Sequence, residues 1–128
     1  MLTVNDITGQ IIDASYQLHK ELGSGLFESV YEVCLSQELT LRGLNAQRQV
    51  AIPIEYKGMK FEEGFRADIL VNNAVIIELK SVSNINNVHK KQLLTYLKLS
   101  DKNVGLLLNF GAGLMKDGIH RIVNEYKY

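Results

Sequence analysis

Near the start of the chain apolar residues recur at helical spacing: Ile7, Ile11, Ala14, Leu18 and Leu22 follow one another at intervals of three or four. Thr3 followed by Asp6 supplies a capping-box start, so the pattern predicts an amphipathic helix from about Asn5 to Leu22. Gly23-Ser24-Gly25 breaks it. A second helix is expected from about Leu26 to Leu41, with Val30, Val33, Cys34 and Leu41 among its apolar positions and Gly43 as its stop. Glu28 and Tyr31, three apart, are expected to share a face of it. The period then shortens to two. Between Arg48 and Tyr56, Val50, Ile52, Ile54 and Tyr56 alternate with Gln49, Ala51, Pro53 and Glu55, and Pro53, which has no N–H to donate, marks an edge strand or a bulge. Lys57-Gly58 turns the chain into a strand beginning near Met59, which Glu62-Glu63-Gly64 is expected to interrupt.

The stretch from Phe65 to Ser81 is the most informative. Two β-branched, apolar runs flank Asn72-Asn73 and read as a hairpin. A two-residue loop would mix charge and hydrocarbon on both faces. A three-residue loop, Asn72 to Ala74, sets Asp68 opposite Glu78, Arg66 opposite Lys80 and Leu70 opposite Ile76, and sends Ala67, Ile69, Val71, Val75, Ile77 and Leu79 to the other side. Because a one-residue slip flips every side chain, the pattern selects the odd loop. Two carboxylates on adjacent strands, about 5 Å apart at their Cβ atoms, repel each other unless a cation lies between them, and hard oxygen ligands suit Mg²⁺ or Mn²⁺. Lys80, two residues beyond Glu78 on the same face, would then orient a water or stabilise charge on a phosphate. The other reading is a solvated face on which Asp, Glu, Lys and Arg pair among themselves.

After Lys80, Ser81 to Asn87 is polar, and Asn86 or Asn87 can cap a third helix from about Val88 to Leu99. Leu93, Leu94 and Leu97 make its apolar side, while His89, Gln92 and Tyr96 form a polar stripe. His89 is either part of that stripe's function or a surface histidine near a helix start. Lys90 and Lys91 are either a solvated face or a means of steering phosphate. Val104 to Asn109 is nearly all apolar, which suits a strand covered on both faces. Gly111-Ala112-Gly113 reads as a turn, since a lone GxG is a weak phosphate-loop signal. A last strand is expected from Ile119 to Tyr126.

The 128 residues are expected to form one domain, residues 1–128, with a mixed sheet flanked by helices, an α+β or α/β architecture. Fourteen basic and fourteen acidic residues cancel, so any attraction for nucleic acid has to be local. A single cysteine, Cys34, excludes an internal disulfide and is read as a core residue in a reducing compartment. No apolar run approaches the roughly 20 residues of a membrane span, and Met-Leu-Thr-Val-Asn-Asp lacks the pattern of a signal peptide. A cytoplasmic location is expected. The three histidines, His19, His89 and His120, are scattered, and neither HExxH, CxxC nor G-x-S-x-G is present, which argues against zinc and serine hydrolases.

Asp68 followed by Glu78-Leu79-Lys80 resembles the D…(D/E)xK signature of the PD-(D/E)XK nuclease superfamily, with Ala67 where a proline often precedes the aspartate. Gly25-Leu26-Phe27-Glu28-Ser29-Val30-Tyr31 is similar to the G-x-x-E-x-x-Y motif of the small bacterial GxxExxY proteins within that superfamily. The likeness continues through Phe65 to Asp68, His89 to Gln92 with Tyr96-Leu97, and Gly105 to Gly111, nearly the whole chain. It implies a restriction-endonuclease-like fold with a core order of helix, three strands, helix, strand, extended by a helix in front and a strand behind. It also implies metal-dependent hydrolysis of nucleic-acid phosphodiesters. Asp68, Glu78 and the backbone carbonyl of Leu79 would hold one Mg²⁺ (or Mn²⁺), with Glu28 as a further or water-mediated ligand. Lys80 would position the attacking water, Gln92 would hydrogen-bond that water or a phosphate, and Tyr31 would pack or orient Glu28. Arg66, His89, Lys91 and Tyr96 are the candidate substrate contacts, although Arg66 could equally pair with Glu78 or Glu63. The alternatives are a non-cleaving nucleic-acid-binding or regulatory module on the same fold, and a structural subunit of a larger assembly. A homodimer is plausible because so small a domain grips little nucleic acid alone.

Overall fold

A computed structural model describes residues 1–124. The chain runs α1 (Val4–Leu22), α2 (Glu28–Leu41), β1 (Ala46–Tyr56), β2 (Met59–Val71), β3 (Val75–Lys80), α3 (Asn87–Ser100), β4 (Val104–Asn109), α4 (Met115–Gly118) and β5 (Ile119–Val123). The strands form one sheet in the order β1-β2-β3-β4-β5. Only β3 and β4 are parallel, with α3 as the crossover between them, and the other neighbours are antiparallel. Of the predicted last strand, Ile119–Val123 is present, while Glu125 and Tyr126 lie outside the described residues.

Two hydrophobic layers sandwich the sheet. Ile7, Ile11, Ala14 and Leu18 of α1, with Tyr31, Leu35 and Leu39 of α2, pack on Ile69, Val71, Val75, Ile77, Leu79, Leu106 and Leu108. On the opposite face Leu93 and Leu97 of α3 cover Ile52, Ala67, Leu70, Ile76 and Leu107. Every residue of β4 is buried, as its unbroken apolar run predicts. Thr3 and Asp6 form the expected capping box, and Asn86 caps α3. No helix among the described residues is long and apolar enough to cross a membrane.

The central hairpin has the predicted three-residue loop. Val71 pairs with Val75, Leu70 with Ile76 and Ile69 with Ile77. Asn72 and Asn73 both adopt the left-handed region, at φ 52° and 53°, which asparagine tolerates better than most residues. Glu62-Glu63-Gly64 does not end β2 as expected. It is taken up as a register shift opposite Pro53, with Ile52 facing Phe65 and Ile54 facing Phe61. A Cβ on Gly64 would lie 2.0 Å from the Ile52 carbonyl oxygen, so no other residue fits there.

One side-chain assignment is corrected. Ala67 packs in the α3 layer, not with Ile69 on the helical-pair side. Strand parity reverses at Asp68, beside the point in the neighbouring strand where Gln49 has φ 51°, between Arg48↔Ile69 and Val50↔Ala67. The predicted four-charge face is likewise absent as a regular ladder, since the pairing of β2 with β3 does not extend past Ile69↔Ile77.

Candidate active site

The site lies where β2 and β3 part. Instead of continuing the main-chain ladder, Asp68 accepts the Leu79 N–H through Oδ2 at 2.8 Å. Burial raises the Asp68 carboxyl above its ordinary range, the Leu79 N–H opposes this, and the charges of Glu32 and Glu28 add to it. Glu78 is more deeply placed, and its Oε1 is buried with no hydrogen-bond partner. Burial first, and then the charge of Asp68, push its carboxyl up to about 8. Lys80, the last residue of β3, acts in the opposite sense on both carboxyls.

Packing between distant segments holds these groups together. Tyr31 is fully buried and stacks on Phe110, with ring centroids 4.4 Å apart. Its hydroxyl donates to the Gly23 carbonyl at 2.6 Å and accepts the Leu26 N–H at 3.2 Å. Phe27, extended at ψ 152°, is the N-cap, so α2 begins at Glu28 and not at Leu26. Ser81 donates to the Leu26 carbonyl at 2.6 Å, fastening the start of α2 to the exit of β3. On the other side of that exit, buried Asn109 bonds Val82 N–H and C=O at 3.0 Å each, and Phe110 N–H bonds the Lys80 carbonyl at 2.9 Å. Glu28 and Tyr31, expected on one face, diverge: Tyr31 fills the core while Glu28 is exposed near the two carboxyls.

The Tyr31 hydroxyl therefore fixes a loop as well as filling space. Tyr31→Phe keeps the stack and strands the Gly23 carbonyl and Leu26 N–H, at a cost of about 1–3 kcal/mol. Urea unfolding of the variant is expected to show this loss at an unchanged m-value.

The remaining predicted residues divide. Tyr96 stacks on Phe65 at 3.8 Å and is half-buried. Its hydroxyl is raised by burial and then by the charge of Glu78, which makes it a neighbour of that carboxyl. Gln92 is exposed one turn earlier on α3. His89 is engaged in the helix cap, accepting the Asn86 N–H through Nδ1 at 3.4 Å, which is the plainer of its two readings. Lys91 is exposed. Arg66 pairs with neither Glu78 nor Glu63 and donates to the Gln49 carbonyl at 2.8 Å. The side chain of Leu79 lies in the core, 1% exposed.

Sequence reasoning missed Glu32, Gln49 and Asn109. Glu32 is buried, accepts Arg48 Nε at 3.0 Å as an ion pair, and accepts Gln49 Nε2 at 2.7 Å. The one available signal was its position four residues after Glu28, on the same side of α2. Nothing in the local pattern distinguishes Gln49 from its neighbours. Among the described residues no three His, Cys, Asp or Glu side chains are gathered closely enough to hold an ion between them. The donor set is a carboxylate pair, and one or two carboxylates with several waters is what Mg²⁺ ordinarily takes from a protein.

A sequence profile of the PD-(D/E)XK nuclease superfamily matches residues 5–122. The chain belongs to the PD-(D/E)XK nuclease superfamily. The five-stranded sheet flanked by helices is the restriction-endonuclease-like fold of that superfamily. Among solved structures, the chain is similar to one described as the crystal structure of SSO0001, at 21% identity and a TM-score of 0.42, covering 94% of this chain and 79% of that one. No curated protein matches.

Proposed function

We propose that this PD-(D/E)XK superfamily member is a metal-dependent nuclease of the GxxExxY kind, hydrolysing nucleic-acid phosphodiester bonds. The observation that carries the reading is the Glu78 carboxyl, buried beside Asp68 with Oε1 unpaired. Two carboxyls forced together in a desolvated fork are unfavourable without a cation, and a divalent ion relieves both the repulsion and the missing contact. Asp68, Glu78 and the Leu79 carbonyl would hold Mg²⁺ or Mn²⁺, with Glu28 as a further or water-mediated ligand. When bound, such an ion neutralises charge on a scissile phosphate and acidifies water.

The chain's own residues supply the rest. Lys80 holds the attacking water in line and donates to a phosphate oxygen as charge builds on it. Tyr96 and Gln92, along the same helix, offer hydrogen bonds to the substrate backbone. Arg66 is available for a phosphate through the guanidinium nitrogens that Gln49 does not engage. With no net charge on the chain, grip on the substrate comes from these local donors. The test is cleavage of end-labelled single-stranded DNA, duplex DNA and RNA in Mg²⁺, Mn²⁺ or EDTA. Cleavage of at least one of them in metal and none in EDTA is expected. A folded protein that cuts none of the three would transfer the chain to the non-cleaving, nucleic-acid-binding reading.

A further inference from the structure

Among the described residues, Gln49 is the one non-glycine residue of positive φ that lies inside a strand and not at a turn or helix end; the others are Lys57, Asn72, Asn73 and Asp101. Backbone in this region persists only where the surroundings enforce it, and such residues cluster at functional sites. What the conformation achieves is visible in the contacts. Neighbours in a strand ordinarily point to opposite faces, yet Arg48 and Gln49 both reach the buried carboxylate of Glu32. With Nε2 at 2.7 Å from Glu32 Oε1, the Gln49 amide lies 3.5 Å from Asp68 Oδ1. Asp68 Oδ2 is already held by the Leu79 N–H. The carboxylate is thus held at Oδ2 by β3, with the Gln49 amide facing Oδ1 at the outer limit of hydrogen-bond distance.

We infer that Gln49 is a positioning residue for Asp68, an amide held by Glu32 in an unfavourable backbone conformation so that Asp68 Oδ1 is presented to a divalent cation. The inference rests on the reading of Asp68 and Glu78 as metal ligands. Glu32 takes both of its partners, Arg48 and Gln49, from β1, so that it orients the amide while Arg48 balances its charge. The Gln49 carbonyl also receives Arg66, which ties the same residue to a candidate phosphate contact. Removing an outer partner of a metal ligand typically lowers metal affinity 10–100-fold.

The experiment measures Mn²⁺ binding by calorimetry, and thermal unfolding of the metal-free protein, for wild type, Gln49→Gly, Gln49→Asn and Asp68→Asn. Glycine adopts positive φ freely but leaves the buried Glu32 Oε1 without its donor, so Gln49→Gly is expected to unfold at or somewhat below the wild-type temperature while binding Mn²⁺ about 10–100-fold more weakly. Asn tolerates the same backbone but is one methylene too short to bridge Glu32 and Asp68, so Gln49→Asn should lose affinity similarly. A merely structural role predicts a lowered unfolding temperature with unchanged affinity, so the Mn²⁺ affinity decides. If the wild type binds Mn²⁺, Asp68→Asn abolishes it and both Gln49 variants bind as the wild type does, the inference alone falls. If the wild type binds no Mn²⁺, the metal reading falls and takes the inference with it.

Discussion

Lys80→Ala is expected to lower metal-dependent cleavage by about 10²–10³-fold, the usual cost of deleting one donor aimed at transition-state charge. The scaffold around Lys80 is main chain. Its carbonyl receives the Phe110 N–H, and its backbone lies opposite Asn109 in the parallel β3–β4 ladder. Truncation at Cβ leaves both in place, so unfolding should change little. The ammonium also favours the charged forms of Asp68 and Glu78, so its loss should weaken Mn²⁺ binding modestly, well short of the loss in turnover. Single-turnover cleavage with saturating Mn²⁺ separates the two effects. A variant that cuts at the wild-type rate would remove Lys80 from the chemistry, and one that no longer folds would show that the side chain is structural.

Glu78→Gln should convert an unstable feature of the metal-free protein into a neutral one. Burial lifts the folded-state carboxyl from 4.5 to about 8, so between those pH values the folded chain holds a proton that the unfolded chain has released. Stability from this group is whole below about pH 4.5 and is lost as pH rises through about 8, a change of the order of 5 kcal/mol. Asp68, also raised, acts in the same direction. Denaturation in EDTA at pH 5, 7 and 9 should show the wild type weakening steadily, and the nearly isosteric glutamine variant weakening much less. Mn²⁺ should restore the wild type at high pH by mass action and leave the variant unchanged. Parallel stability curves for the two proteins would mean that Glu78 is solvated in the folded state.

Much of the fold was legible because it rests on local rules. The caps at Thr3 and Asn86, the stop after Leu22 and the buried β4 each follow from a few adjacent residues. So does the hairpin loop, because an odd loop is the one that keeps Ile69, Val71, Val75 and Ile77 on a common face. The start of α2 was misjudged by two residues because Phe27 is extended, at ψ 152°, and serves as the N-cap without a capping side chain to mark it. The short α4 was missed because a single turn carries no periodic signal.

Sequence alone determined the chemical inventory: two carboxylates and a lysine brought to one end of a hairpin, with a glutamate at the start of a helix. Side-chain parity and helix periodicity are near-neighbour properties, and near neighbours are what a sequence lists. Tertiary structure decided what those groups experience. The reversal at Gln49 depends on Glu32 being buried against Arg48, and the elevated Glu78 carboxyl depends on the layers that close over both faces of the sheet. The link between Tyr96 and Glu78 depends on α3 crossing back over β2. Desolvation, charge repulsion and enforced backbone strain arise where segments distant along the chain meet, and no local pattern records them.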